Sequence, residues 1–144
     1  MTAEFLVAVH AAVYLGHKGG SCSSEEIAQN VCTNPARVRK VLSKLERAGL
    51  TTGKNGYLGG YSLAADPAKI TLADILDALD ETLVAPRWRS GSLDMDCRIA
   101  SGMAAVMDEV LRDVNRSGRE TLRGITVREL EHRLFQDPPE KQAF

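Results

Sequence analysis

A single dipeptide constrains this chain more than its composition does. Asn34-Pro35 stands directly before an apolar stripe of Val38, Val41, Leu42 and Leu45, spaced i, i+3, i+4 and i+7. Proline has a preset φ and no amide hydrogen, so it suits the first turn of a helix and is excluded from the interior. Asparagine in front of it is a good N-cap. The spacing therefore predicts a helix over 35–48, closed by Gly49 as a C-terminal cap. Upstream, Ser23-Ser24-Glu25-Glu26 has the form of a capping box, with Ser23 as cap and Glu26 three residues on. It opens a short helix with Ile27, Ala28 and Val31 inward. An earlier helix carries Phe5, Leu6, Val9, Ala12 and Val13 at helical spacing and ends at Lys18-Gly19-Gly20.

Residues 50–63 follow a different pattern. Leu50-Thr51-Thr52 and Tyr61-Ser62-Leu63 are strand-like and flank Gly53, Gly56, Gly59 and Gly60, which predicts a hairpin. After Asp66-Pro67, Thr71 caps a helix bearing Leu72, Ile75, Leu76 and Leu79. Residues 82–96 lack periodicity and contain Pro86 and Gly91, so they read as a loop. From about Cys97 a long helix keeps Ile99, Met103, Val106, Val110 and Val114 on one stripe, weakened near Gly118 and stopped by Gly124. Thr126-Val127-Arg128-Glu129 is another capping box, starting a last helix through Leu130, Leu134 and Phe135.

Composition narrows the class. With 144 residues, 44% apolar and 26% charged, the chain suits one soluble domain with an extension. No stretch approaches the ~18 uninterrupted apolar residues of a membrane span. Glu4 and His10 interrupt the apolar N-terminus and no basic leader precedes it, so no signal peptide is expected. Three widely spaced cysteines do not make a disulfide framework, which suits a reducing cytoplasm. The net charge of −1 is uninformative until it is located. Residues 1–65 hold seven Lys/Arg against four Asp/Glu, a balance of +3, and residues 66–144 hold eleven against fifteen, a balance of −4. Six of the seven N-terminal cations lie between Arg37 and Lys54. Such a dipole suggests one half that meets an anion and another half with a different task.

Three short helices followed by a glycine-rich hairpin is the layout of a winged helix-turn-helix. In that motif the second helix of the pair enters the DNA major groove, its N-terminal residues toward base edges. Here that helix is 35–48. Arg37, Lys40, Lys44 and Arg47 stand opposite its apolar stripe, and Asn34, Arg37 and Arg39 sit at the groove-entering end. Arginine can pair bidentately with guanine, and asparagine with adenine. Lys44 and Arg47 suit phosphate contacts, which position without reading sequence. Lys54 and Asn55 of the wing would meet the adjacent minor groove or backbone.

At these residues the chain also resembles a family. Val31-Cys32-Thr33-Asn34-Pro35, Val38-Arg39-Lys40-Val41-Leu42 and Leu45-Glu46-Arg47-Ala48-Gly49-Leu50 look like the Rrf-two family of bacterial transcription regulators. The likeness continues through Gly59-Gly60-Tyr61-Ser62-Leu63-Ala64 and Ile70-Thr71-Leu72-Ala73-Asp74-Ile75 and covers nearly the whole chain. It implies homodimers bound to palindromic operators on double-stranded DNA, usually as repressors, with the long C-terminal helix as the dimer interface. The seam of Ile99, Met103, Val106, Val110 and Val114 agrees, because a long amphipathic helix needs a surface to cover it. The expected fold is mainly α with a small β-hairpin wing. A winged helix-turn-helix domain occupies 1–66. A connecting helix, a sensing loop (82–96) and dimerisation helices occupy 67–136, and 137–144 form a flexible tail.

Members of the family that sense iron–sulfur status carry three clustered cysteines before the long helix. Cys97 stands where the last would be, and residues 82–96 contain neither Cys nor His. A cluster needs about four ligands, so no iron–sulfur cluster or other cofactor is expected, and the resemblance is to the cluster-free, CymR-like and YwnA-like branch. Candidate redox sensors are then Cys22, Cys32 and Cys97. The start of a helix favours thiolate at Cys97, while Asp94 and Asp96 oppose it. A disulfide from Cys32 to a partner's Cys97 would tie the reading helix to the dimer helices, provided the Cα atoms lie within ~7 Å. Alternatively the three are small buried apolar residues. Trp88, between Arg87 and Arg89, either lines a pocket, meets a partner or anchors its loop, and Met95, Met103 and Met107 read as core filler. His10, His17 and His132 are scattered, and no metal site is expected.

No phosphate loop, nucleophile elbow or Cys–His pair marks an enzyme. The alternatives to a redox-responsive DNA-binding regulator are a winged-helix protein-interaction module and a regulator governed by a small-molecule or protein effector.

Overall fold

The computed structural model describes residues 1–54 and 59–136 of the chain. Three helices, α1 (Ala3–Lys18), α2 (Ser24–Val31) and α3 (Pro35–Arg47), precede an antiparallel pair, β1 (Thr51–Lys54) and β2 (Gly60–Leu63). A 3-10 turn at Pro67–Lys69 leads to α4 (Leu72–Ala78), and α5 (Arg98–Arg123) and α6 (Val127–Gln136) complete the order. The hairpin tip with Asn55 and the tail 137–144 lie outside the described residues.

The four predicted caps, Ser23, Asn34, Thr71 and Thr126, each accept an amide. Ser23 Oγ accepts the Glu26 amide at 3.0 Å, and Asn34 Oδ1 accepts the Arg37 amide at 2.8 Å. Thr71 and Asp74 close a reciprocal capping box at 3.1 and 2.9 Å, and Thr126 Oγ1 accepts the Glu129 amide at 3.1 Å. Such caps each stabilise a helix by ~1 kcal/mol. Gly19 ends α1 in the left-handed region at φ 69°, where only glycine is unstrained.

One apolar cluster holds these elements together. Phe5, Ala8, Ala11 and Leu15 of α1 pack with Ile27 of α2, the four stripe residues of α3, Ile75 and Leu76 of α4, and Val127 at the start of α6. The inward face of α1 is turned from the expected one. Val7, Ala8 and Ala11 are buried while Leu6 is 60% exposed, because small residues let α1 approach its neighbours closely. The boundary expected at residue 66 does not divide this core. Ile70, Leu72, Ile75 and Val127 lie beyond it and are buried in the same cluster. Backbone bonds reinforce this, from the Leu72 amide to Ile125 O and from the Val127 amide to Ile70 O, each 2.9 Å.

What stands apart is α5. Over 26 residues, a length of about 39 Å at ~1.5 Å per residue, it buries no side chain. Ile99 is 70% exposed, and Met103, Val106, Val110 and Val114 are all exposed with it. Its C-terminal half is tied to the body through an Arg119–Asp77 ion pair and through Leu122. Gly118, expected to weaken the helix, is instead where the Leu83 side chain presses so closely that a Cβ would collide with it. Asn115 grips the start of the 82–96 loop by accepting the Val84 amide (2.8 Å) and donating to its carbonyl (2.9 Å). None of the described helices is long and apolar enough to cross a membrane.

Candidate nucleic-acid interface

The turn between α2 and α3 is made by Cys32, a non-glycine residue at φ 64°, and by the Thr33 amide, which donates to Ala28 O at 3.0 Å. It delivers α3 with Val38, Val41, Leu42 and Leu45 fully buried. The opposite face presents Lys40, Ser43 and Arg47 as exposed and Lys44 as half-buried.

The wing is fastened to this helix at two points. Thr51 Oγ1 donates to Leu42 O at 3.3 Å, and the Gly53 amide donates to Glu46 Oε1 at 3.3 Å. A third fastening comes from the loop before α2. Cys22 and Tyr61 exchange backbone hydrogen bonds at 2.8 and 2.7 Å, extending the sheet by one bridge. Gly60 sits at φ 146° against Cys22 O and Ser21 Oγ, where any Cβ would clash. Lys54, at the end of β1, therefore has a fixed base.

The predicted reading residues fall into two groups. Lys40, Lys44, Arg47 and Lys54 have no ion-pair partner among the described residues. Lys44 and Arg47 border a cleft that Asp77 and Asp80 share, with Asp77 already engaged by Arg119. The groove-entering end is arranged differently from the expectation. Asn34 Oδ1 is engaged in its own cap, which ties up part of its hydrogen-bonding capacity. Arg37 is turned back onto α1, its Nε donating to Glu4 Oε1 at 3.1 Å and its terminal nitrogen 3.0 Å from the same oxygen. Arg39 reaches α2 instead, 3.1 Å from Ser24 Oγ and 3.6 Å from Glu25 Oε1. Glu4, Ser24, Glu25 and Glu46 were not anticipated, since partners brought together by the fold leave no local spacing to find.

The three cysteines, all free, have unlike surroundings. Cys22 is 3% exposed, and burial, followed by the Glu26 carboxylate beside it, pushes its thiol up to about 11. Burial and a raised thiol both count against it as a sensor, because the thiolate is the reactive form. Cys32 is exposed, with its thiol 3.8 Å from Gln29 O. Cys97 is exposed at the N-cap of α5, and its thiol is held below the ordinary value by the backbone amide of Ala100 and then that of Ile99. The opposition expected from Asp94 and Asp96 is not among the causes of that shift.

Trp88 does not anchor its loop, being 77% exposed, and Met95, Met103 and Met107 are exposed rather than core filler. His10 bonds Asn30 at 2.7 Å, while His17 bonds Glu131 at 3.2 Å and stacks on Phe135. Among the described residues no group of three or more His, Cys, Asp or Glu side chains could hold a metal ion.

A capped helix pair, an outward cationic face and a wing anchored to the second helix define a winged helix-turn-helix transcriptional regulator. The profile of the Rrf2 family, described as iron-dependent transcriptional regulators, matches residues 1–133, and the chain belongs to that family. It is 31% identical over 115 residues to the helix-turn-helix-type transcriptional regulator YwnA of Bacillus subtilis, covering 78% of this chain and 84% of that protein. A crystal structure of a transcriptional regulator from Lactobacillus plantarum matches with a TM-score of 0.80 at 30% identity, covering 94% of this chain and 91% of that one. CymR, the global cysteine regulator of B. subtilis, shares the fold, with a TM-score of 0.66 at 23% identity over 92% and 95% of the two chains. These relatives are transcriptional regulators, not enzymes.

The family description mentions iron, and the cysteine donors of this chain are few. The loop before α5 offers Cys97 alone, Cys22 is sealed in the core, and Cys32 lies at the C-cap of α2. An iron–sulfur cluster takes about four protein ligands.

Proposed function

We propose that this chain is a homodimeric, sequence-specific DNA-binding repressor acting at a palindromic operator, without a resident iron–sulfur cluster. The observation that carries the reading is the set of four cations without ion-pair partners among the described residues, Lys40, Lys44, Arg47 and Lys54, on one helix and the strand fastened to it. Phosphates are the groups such cations meet in a helix-turn-helix complex. Dimerisation is supported by the open stripe of α5 and by the apolar groove between α1 and α6, edged by exposed Leu6, Leu134 and Phe135. Association of two copies would cover both, and a two-fold dimer matches a palindrome.

Thiol redox control at Cys97 belongs to the same reading. It is favoured by an exposed sulfur whose thiolate is stabilised by two backbone amides at the start of the dimer helix.

The test is fluorescence anisotropy with a duplex from the chain's own upstream region. Affinity should fall steeply with salt, and Lys44→Ala should lower the slope of log K against log salt by ~0.9, the share of one phosphate contact, with sequence preference unchanged. Binding that is absent or flat with salt would overturn the reading.

A further inference from the structure

We propose that Glu4 is a specificity-determining residue, which withholds Arg37 from the phosphates of non-cognate DNA. The inference rests on the DNA-binding reading above and adds a control on one of its cations. Arg37 lies in the first turn of α3, the end that enters the groove. Both of its contacting nitrogens converge on Glu4 Oε1, at 3.0 and 3.1 Å. Among the described residues Lys40, Lys44, Arg47 and Lys54 form no ion pair, and Arg39 meets Glu25 only at 3.6 Å with both side chains at least half exposed.

The acid is also held in place. Thr2, the N-cap of α1, donates its amide to Glu81 Oε2 at 3.0 Å and its hydroxyl to the other carboxylate oxygen, and the Phe5 amide donates to Thr2 O at 3.2 Å. The turn carrying Glu4 is therefore fixed from both sides. The Glu4 carboxyl lies below its ordinary range, first because of its own backbone hydrogen bond and then because of Arg37, so it is charged at neutral pH.

A half-exposed ion pair is weak, so the gate restrains Arg37 without locking it. On random DNA a single phosphate competes poorly with an acid already in place. A guanine edge, which arginine can grip with two hydrogen bonds, competes better.

The experiment is a double-mutant cycle on a random-sequence duplex, using the full chain. Glu4→Gln should tighten binding by about two- to fivefold and steepen the salt slope by ~0.9, the signature of one new phosphate contact. Arg37→Ala should cost far less on the random duplex in the wild-type background than in the Glu4→Gln background, where it should abolish the whole gain. Glu4→Gln without effect, or with a gain that persists in Glu4→Gln/Arg37→Ala, would overturn the proposal, since the latter is only the long-range effect of removing a negative charge. Lys44→Ala, measured in parallel, separates the two readings. If Lys44→Ala has no effect either, DNA binding by this face fails, whereas a normal Lys44→Ala loss with an inert Glu4→Gln sinks the gate alone.

Discussion

Helices α3 and α5 carry the same kind of apolar stripe and meet opposite fates. The 13 residues of α3 bury four stripe side chains completely, whereas the 26 residues of α5 bury none. The difference lies in what precedes each helix. A three-residue turn joins α2 to α3, and Asn34 caps the new helix so that its stripe falls onto α1 and α2. The loop 82–96 instead delivers α5 at the edge of the body, held mainly by Asn115, Gly118, Arg119 and Leu122 in its second half. Helical spacing shows that a face is apolar. The connection before the helix decides whether the same chain covers it.

The contrast can be broken by two substitutions of very different expected cost. Leu42→Ala should lower unfolding stability by ~2–5 kcal/mol in urea titrations, because the site is fully buried and its neighbours collapse only partly into the space. Val110→Asp, on the 46% exposed stripe of α5, should change the stability of the monomer by no more than ~0.5 kcal/mol. The same change should shift the protein toward monomer in sedimentation velocity, since a charge in a covered apolar seam lacks a partner there. If Val110→Asp unfolded the chain as severely as Leu42→Ala, α5 would be part of the core and the contrast would fail.

Most of the fold was legible because it is punctuated by local chemistry. Ser23, Asn34, Thr71 and Thr126 each sit where a cap must be, and each accepts the amide expected of it. The spacing of Leu6, Val9 and Val13 points partly to the wrong face of α1, since a helix packed through alanines does not announce its buried side by large residues. The candidate site was half legible. Lys40, Lys44, Arg47 and Lys54 follow from position on a basic face, but the fates of Arg37 and Arg39 do not. Glu4 lies 33 residues from Arg37 and Ser24 lies 15 from Arg39, so only the packing of α1 and α2 on α3 reveals those contacts. The cysteines were legible as positions and not as environments, because exposure is a property of the assembled core.

The two regions also differ in their thiols, and this gives the subtlest test. Cys22 belongs to the α1–α3 core and ionises only near pH 11, while Cys97 belongs to α5 and ionises below the ordinary 9.0. Iodoacetamide attacks the thiolate, so at mildly alkaline pH Cys97 should be alkylated well before Cys22, with mass spectrometry of the peptides giving the order. Urea should bring Cys22 to the rate of an ordinary thiol. The same shift has a thermodynamic sign. Folded Cys22 keeps its proton at a pH where the unfolded chain has lost it, so its contribution is fully present below pH 9 and is lost as pH rises toward 11. Cys22→Ala should therefore flatten part of the alkaline loss of stability, whereas Cys97→Ala, at an exposed site, should leave that slope as it is. Equal alkylation rates for the two cysteines in the folded protein would place them in like surroundings and erase the distinction between the core and the exposed helix at those positions.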